Sequence, residues 1–395
     1  MGTVLAISAL LCSMATQAPA PGGVLNLPLF HLPANGDAPY FWRGFCTDMA
    51  RVTLKAGPIP ADALPEGAAP QSCLQLGYWF PPPGKVDTAE IARWIELPEC
   101  AQAVTMKLCP DGSSHALGLR LLDAEKETFQ WRIGTMRLPT ANTDNGYVLV
   151  TRQEIDGSKA VATWGGNADK VLDYPLSLQG LIIIREAAEP VQGQCGILSM
   201  EAEIPDPTIP VAKGGKAIHL LPLADQAHPW PIAQVKNMNA DTADAKPDAE
   251  GALDVTYKWP KAQDDFSRVT VFFGDEPALM VPGRGTLLVR LEGDGSDTAL
   301  FLVLDDPKEG RLFSPVAQYI VDFKGPGYVW LNTATPNLSR SGEPRPASEQ
   351  PNYPLRLRGL FLQRLETQDW TAGIPRGEEG QLRIRDVWFL PEGAH

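Results

Sequence analysis

Histidine and cysteine are scarce in this sequence, at five and six among 395 residues. The chemistry they usually carry has little foothold. No His-Glu-x-x-His, Gly-x-Ser-x-Gly or phosphate-binding glycine loop occurs, so the local signatures of zinc proteases, serine hydrolases and nucleotide-binding enzymes are missing. His31, His115, His219, His228 and His395 form no evident constellation, and no cysteine pair has zinc spacing. Paired carboxylates for glycoside hydrolysis need only spatial proximity, so that chemistry stays open. Basic residues are outnumbered 34 to 47, a net charge of -13. That balance argues against nucleic acid and anionic membrane surfaces as partners.

Long hydrophobic runs are also lacking. The one apolar stretch, Val4–Met14, is too short to span a bilayer and suits the core of a signal peptide. Residues 1–20 are therefore read as a signal peptide without the usual basic start, with Ser13-Met14-Ala15 as a cleavage site. This places the protein outside the cytoplasm: secreted, periplasmic or on the cell surface. The two leucines before Cys12 make a poor lipobox. The remaining cysteines, Cys46, Cys73, Cys100, Cys109 and Cys195, all lie in the first half. Five leave at least one free thiol. Cys100 and Cys109 flank an apparent strand and should not pair with each other. Disulfides and buried free thiols both remain open.

What the chain has in quantity is turn residues, 36 Gly and 37 Pro, beside 44% hydrophobic residues. This favours many short strands, and 395 residues suit two domains. Five blocks recur in one order. "LQLGYWF" (Leu74–Phe80) matches "LDVTYKW" (Leu253–Trp259), and "PDGSSHALGLRLLD" (Pro110–Asp123) matches "GDGSDTALFLVLDD" (Gly293–Asp306). "GYVLV" (Gly146–Val150) matches "GYVWL" (Gly327–Leu331), and "YPLSLQG" (Tyr174–Gly180) matches "YPLRLRG" (Tyr353–Gly359). The closing "GILSMEAEI" (Gly196–Ile204) parallels "GQLRIRDVWFL" (Gly380–Leu390). The economical account is a tandem duplication, with domains at 24–205 and 217–395 and a boundary in the Pro/Gly-rich stretch 204–216.

Every block alternates with period two. Leu253, Val255, Tyr257 and Trp259 share one face, as do Leu117, Leu119 and Leu121, and Leu300, Leu302 and Leu304. This marks antiparallel strands with one face buried, hence an all-β chain of two tandem antiparallel β-sandwiches. The Asp-Gly-Ser turns at Asp111 and Asp294 are read as hairpin connections. "TAEIARWIEL" (residues 88–97) is the best helix candidate. In the Tyr-Pro-Leu frame the leucines should point inward and the varied residues outward, with Gly180 and Gly359 at a bulge or close approach.

Taken together, these blocks resemble the galactose-binding-like, jelly-roll carbohydrate-binding modules attached to bacterial glycosidases and cell-surface proteins. The likeness covers most of each half. It is fullest in the second, where Asp294, Gly295, Asp305, Gly327, Tyr328, Gly359, Ile384 and Asp386 fall in place. It implies a jelly-roll fold, no cofactor beyond a structural calcium ion, and glycan binding on the sheet face or loop rim. The first copy departs at its end, with Glu201 where the second has an Arg-Asp pair, which weakens the implied ion there. Asp111 and Asp294 read as turn formers rather than calcium ligands.

Candidate ligand-binding residues follow from exposure of aromatic and planar polar groups. Trp79 lies on the outward parity of its strand, aligned with Lys258. Trp164 sits in "TWGGN", inside a long connection that is uncommon without a purpose. Arg356 and Arg358, two apart on an outward face, would form a hydroxyl or carboxylate clamp, or else belong to a solvated sheet face or an interdomain salt bridge. Trp259 and Trp330 read as core, and Trp388 has ambiguous parity. The resulting expectation is a non-catalytic, exported protein binding polysaccharide or surface glycan, with two modules gaining avidity. A cell-surface scaffold of the same fold, or a divergent polysaccharide hydrolase or lyase, are the alternatives. Oligomeric state is not legible.

Overall fold

The computed structural model describes residues 23–32, 42–46, 50–59, 72–81, 88–92, 95–137, 148–186, 191–209, 217–224, 229–260, 267–296, 298–308, 310–313, 320–334, 351–364 and 379–392. The signal-peptide reading lies outside the described residues, as do Tyr147, His228 and His395.

Four antiparallel sheets make two sandwich-like domains. The first sheet runs β10 (Leu149–Glu154), β7 (Ala103–Cys109), β13 (Gln192–Pro205), β4 (Ser72–Trp79), β3 (Arg51–Pro58), with β1 (Val24–Pro28) on the far half of β13. The second runs β11 (Ala162–Gly165), β9 (Glu127–Thr135), β8 (Ala116–Leu122), β12 (Ser177–Ile184), β5 (Thr88–Ala92), β2 (Arg43–Cys46), with β6 (Ile95–Glu96) on β12. The third runs β16 (Thr242–Pro247), β17 (Leu253–Lys258), β26 (Glu379–Pro391), β20 (Gly285–Asp294), β24 (Lys324–Asn332), with β14 (Ile218–Leu221) on β26. The fourth runs β15 (Ile232–Met238), β18 (Arg268–Phe273), β25 (Leu355–Gln363), β21 (Thr298–Asp306), β22 (Gly310–Phe313), with β19 (Met280–Val281) on β25 and β23 (Ile320–Val321) on β21. The third sheet repeats the strand order of the first. The fourth repeats that of the second, except that among the described residues two short strands, β22 and β23, stand in the place of β9 and no strand corresponds to β11.

Alternation drives this arrangement. Leu117, Leu119 and Leu121 of β8 have no exposed surface, and neither do Leu176, Leu178 and Leu181 around the neighbouring strand. Burying each such side chain contributes about 1.5–3 kcal/mol. The Tyr-Pro-Leu frame behaves as its pattern implies. Leu355 and Leu357 are buried as Leu176 and Leu178 are, and the pairing register slips beside both glycines. A Cβ on Gly180 would meet the Ile91 carbonyl oxygen at 2.0 Å, and one on Gly359 the Val271 oxygen at 2.2 Å. Both Tyr-Pro bonds are cis.

Two expectations fail here. Within residues 88–97, Thr88–Ala92 and Ile95–Glu96 form strands β5 and β6 where a helix was expected. Every residue of β5 is buried, and Glu90 pairs across the sheet with Arg120 at 2.7 Å, so tertiary packing overrides helix propensity. The Asp-Gly-Ser turns are not hairpins either. The first links β7 to β8 and the second β20 to β21, strands of different sheets, so each turn is a corner between layers.

The two halves also touch. Leu288, Trp330 and Leu390 lie on the outer face of the third sheet and pack into the core cluster of the first half. Trp330 is buried as its pattern implies, but against the other half. Its Nε1 donates to the Glu96 carbonyl at 2.9 Å, and Asn332 Nδ2 donates to Leu97 O at 2.6 Å. The same face of the first sheet is polar: Thr105 Oγ1 donates to Glu203 at 2.5 Å, and Arg152 pairs with Glu203 at 2.7 Å. The face is thus apolar and docked in the second copy, and polar in the first. No helix among the described residues is long and apolar enough to cross a membrane.

Candidate functional site

The outer face of the first sheet carries a groove built by three strands. Register places Arg51, Trp79 and Gln192 in one row across β3, β4 and β13, and Thr53, Gly77 and Gln194 in the next. Side chains two apart along a strand share a face, so both rows point away from the core. Strands about 4.8 Å apart make each row roughly 10 Å wide. Together with Tyr78 and Gly193 they line an open groove of about 620 Å³.

Gly77 forms the floor. A Cβ there would come within 2.5 Å of Thr53 Oγ1, so any side chain would fill the space. Trp79 is half-buried, and the Arg51 guanidinium carbon lies 5.3 Å from the centre of its ring. Such a contact holds the cation over the aromatic face. Gln192 is exposed at the other end of the row, and Gln194 Nε2 is buried without a hydrogen-bond partner. The groove thus presents one aromatic ring, one guanidinium and two planar amides.

A clamp behind the groove fixes β13. Tyr78 Oη donates to Asp111 Oδ2 at 2.5 Å, and the Gln194 amide donates to the same oxygen at 3.2 Å. Asp111 Oδ1 accepts from the Ser113 amide at 3.1 Å. Burial, then the Asp111 hydrogen bond, pushes the Tyr78 hydroxyl well above its usual range. The second copy keeps this clamp: Tyr257 Oη donates to Asp294 Oδ2 at 3.1 Å, and the Gln381 amide at 2.7 Å. Both aspartates therefore spend their oxygens on turn and clamp and do not fit a calcium ion. Among the described residues no three His, Cys, Asp or Glu side chains group to hold a metal. The five cysteines there are unpaired, and burial raises the Cys73 and Cys109 thiols to about 11.

The second copy does not keep the groove. Lys258 stands at the Trp79 position, between Thr242 and Glu379. The rows beyond it carry ion pairs: Arg383 with Asp248 and, at 3.0 Å, Glu250, and Arg385 with Glu292 and, at 3.0 Å, Glu250. Charges of both signs occupy the face where the first copy has an aromatic slot.

The remaining sequence candidates lie elsewhere. Trp164 is on β11 at the edge of the second sheet, 43% exposed, with the Arg120 guanidinium 5.0 Å from its ring centre. The long connection read around it is not bare loop, since the preceding strand β10 runs on to Glu154 and β11 lies within the connection. Trp79 and Trp164 sit on opposite outer faces of the sandwich and do not form one site. Arg356 and Arg358 are on β25, and both bond Asp275 Oδ1, at 2.8 and 2.6 Å. Their partner belongs to the same half, so the pair is not an interdomain bridge. Sequence reasoning missed Arg51, Thr53, Gln192 and Gln194. The alternation Gln192-Gly193-Gln194 was the available signal.

No protein-family model matches this sequence, and no curated protein matches it at a significant level. Solved structures that match include a family 11 carbohydrate-binding module of the cellulosomal cellulase Lic26A-Cel5E of Clostridium thermocellum. It is 9% identical, with TM-score 0.30, covering 46% of this chain and 94% of that one. The same family's module in complex with a β-1,3-1,4-mixed-linked tetrasaccharide matches at 8% identity and TM-score 0.31, covering 46% and 95%. A tandem of two family 22 modules from Paenibacillus barcinonensis Xyn10C matches over 94% of this chain and 97% of its own, at 8% identity and TM-score 0.23. Similarity this low bears on neither ligand nor site.

Proposed function

We propose that this chain is an exported, non-catalytic saccharide-binding protein whose ligand lies in the Trp79 groove of the first sandwich. The observation that carries the reading is the row Arg51-Trp79-Gln192 above the Gly77 floor. Sugar rings present apolar C–H faces and planar rings of hydroxyls, and an aromatic side chain flanked by amide and guanidinium groups answers both. A slot with a few convergent polar groups is the usual form of a ligand site. Binding rather than catalysis is favoured by the lining. Arg, Thr, Gln and Trp offer no general acid, the Tyr78 hydroxyl is spent on Asp111, and Asp111 has both oxygens engaged. The apolar run Val4–Met14 is what supports export.

Affinity electrophoresis of the full chain against soluble polysaccharides, acidic and neutral, tests the reading. Retardation by at least one polymer is expected, lost in Trp79→Ala with the melting temperature unchanged. No retardation by any polymer, or equal retardation of Trp79→Ala, overturns it.

A further inference from the structure

We propose that the groove is built for an acidic saccharide, one whose units carry carboxylates, and that Arg51 receives the carboxylate. This rests on the saccharide-binding reading above and narrows it.

Three observations carry it. First, the guanidinium carbon of Arg51 sits 5.3 Å from the ring centre of Trp79, over the face on which an uncharged sugar would stack. A ligand must therefore either displace this cation or bind it. Second, Arg51 is exposed and has no ion pair among the described residues, and the same holds for Lys55, four residues along on the same face. Elsewhere on the sheets most outward arginines have acids: Arg120 has Glu90, Arg152 has Glu203, and Arg383 has Asp248. Third, β3, β4 and residues 192–200 of β13 contain two cations and no acid, in a chain of net charge -13. The positive strip is local and runs against the protein's overall sign.

A guanidinium held over a ring face by its charge still has N–H groups free, and these match a carboxylate with two parallel hydrogen bonds. Gln192 and the unpartnered Gln194 Nε2 lie across the groove, where they meet ring hydroxyls of the same unit or its neighbour. The second copy supports this by contrast. Its equivalent face holds Lys258 within 4.0 Å of Glu379 and Arg383 among several acids, so the cations there are already answered.

The test uses the full chain and polygalacturonate beside the same polymer fully methyl-esterified, which keeps the backbone and removes the charge. Alginate serves as a second uronate polymer, and xylan and mixed-linkage β-glucan as neutral ones. Titration calorimetry at two salt concentrations reads the affinity. Binding to a uronate polymer is expected, weakened at least tenfold by esterification or by Arg51→Gln, and weakened by salt in the wild type but much less in Arg51→Gln. Thermal melting of Arg51→Gln, expected unchanged, separates loss of charge from loss of fold. Equal binding of the free and esterified polymers, or binding confined to neutral ones, overturns the inference and leaves saccharide binding standing. Binding to none of the five polymers overturns both.

Discussion

The Glu99 carboxylate, with no exposed side-chain surface, lies 3.5 Å from the Arg284 guanidinium, and the two belong to different halves of the chain. Around them the Glu99 amide donates to Thr286 Oγ1 at 2.9 Å and Asn332 Oδ1 at 3.0 Å. Arg284 also donates to the Tyr174 carbonyl at 3.1 Å and stands 3.6 Å from Glu392. A titratable acid is thus sealed into the contact between the sandwiches.

That burial makes stability depend on pH. Desolvation raises the Glu99 acid to about 7, opposed by Arg284 and helped by Glu392 and Glu96. A folded-state value above the unfolded one favours folding while the group is protonated. The contribution is fully present below about 4.5 and is lost as pH rises through 7, an effect of up to ~3 kcal/mol. Other carboxylates titrate too, so the informative quantity is a difference. Denaturant unfolding from pH 4.5 to 7.5 should show wild-type stability falling relative to Glu99→Gln across this window. Parallel curves would mean that Glu99 is not sealed from water.

The docking face gives a second prediction. Trp330 is 5% exposed and fills space between the halves, besides donating to the Glu96 carbonyl. Trp330→Ala should cost about 3–5 kcal/mol. Trp330→Phe keeps most of the packing and should lose only about 1 kcal/mol. In solution scattering Trp330→Ala should also show a larger radius of gyration as the sandwiches separate. An unchanged radius with full stability would remove Trp330 from the contact.

Much of this fold was readable because its repeats alternate. The leucines at 117, 119 and 121 and at 300, 302 and 304 marked buried faces directly, and they are buried. Parity also put Trp79 outward. Its companions were not readable, since Arg51 and Gln192 lie 28 and 113 residues away and meet it only through strand order and register. Trp330 shows the opposite limit. Its period said buried, but a sheet covered on both faces has two insides, and period two does not name the neighbour. At residues 88–97 the local preference was helical, and neighbours β12 and β2 decided otherwise.

The tyrosine clamp predicts matched behaviour in the two copies. A Cβ on Gly193 would lie 2.0 Å from Asp111 Oδ2, and one on Gly380 would lie 2.2 Å from Asp294 Oδ2. Neither glycine has a positive φ, so the conflict is steric alone. Gly193→Ala and Gly380→Ala should each destabilise by about 1–3 kcal/mol through overpacking. Tyr78→Phe and Tyr257→Phe, which remove a hydrogen bond to a carboxylate, should cost about 1.5–3 kcal/mol each. Equilibrium denaturation of the four variants checks this. A large cost in one copy and none in the other would break the equivalence of the two clamps.

Valency follows from how the copies diverged. Duplication by itself suggests two binding modules and a gain in avidity. The outer face of the third sheet instead holds Lys258 beside Glu379 at the groove position, Arg383 and Arg385 among acids in the rows beyond it, and Leu288, Trp330 and Leu390 in the docking patch. Both uses consume the surface a second ligand would need. One site per chain is therefore expected, with the second sandwich acting as support. Calorimetry with a short oligosaccharide of the bound polymer should give a stoichiometry of one, Trp79→Ala should abolish all the heat, and Arg383→Ala should leave affinity within twofold. A stoichiometry of two, or residual binding in Trp79→Ala, would place a second site on the chain and return the avidity account.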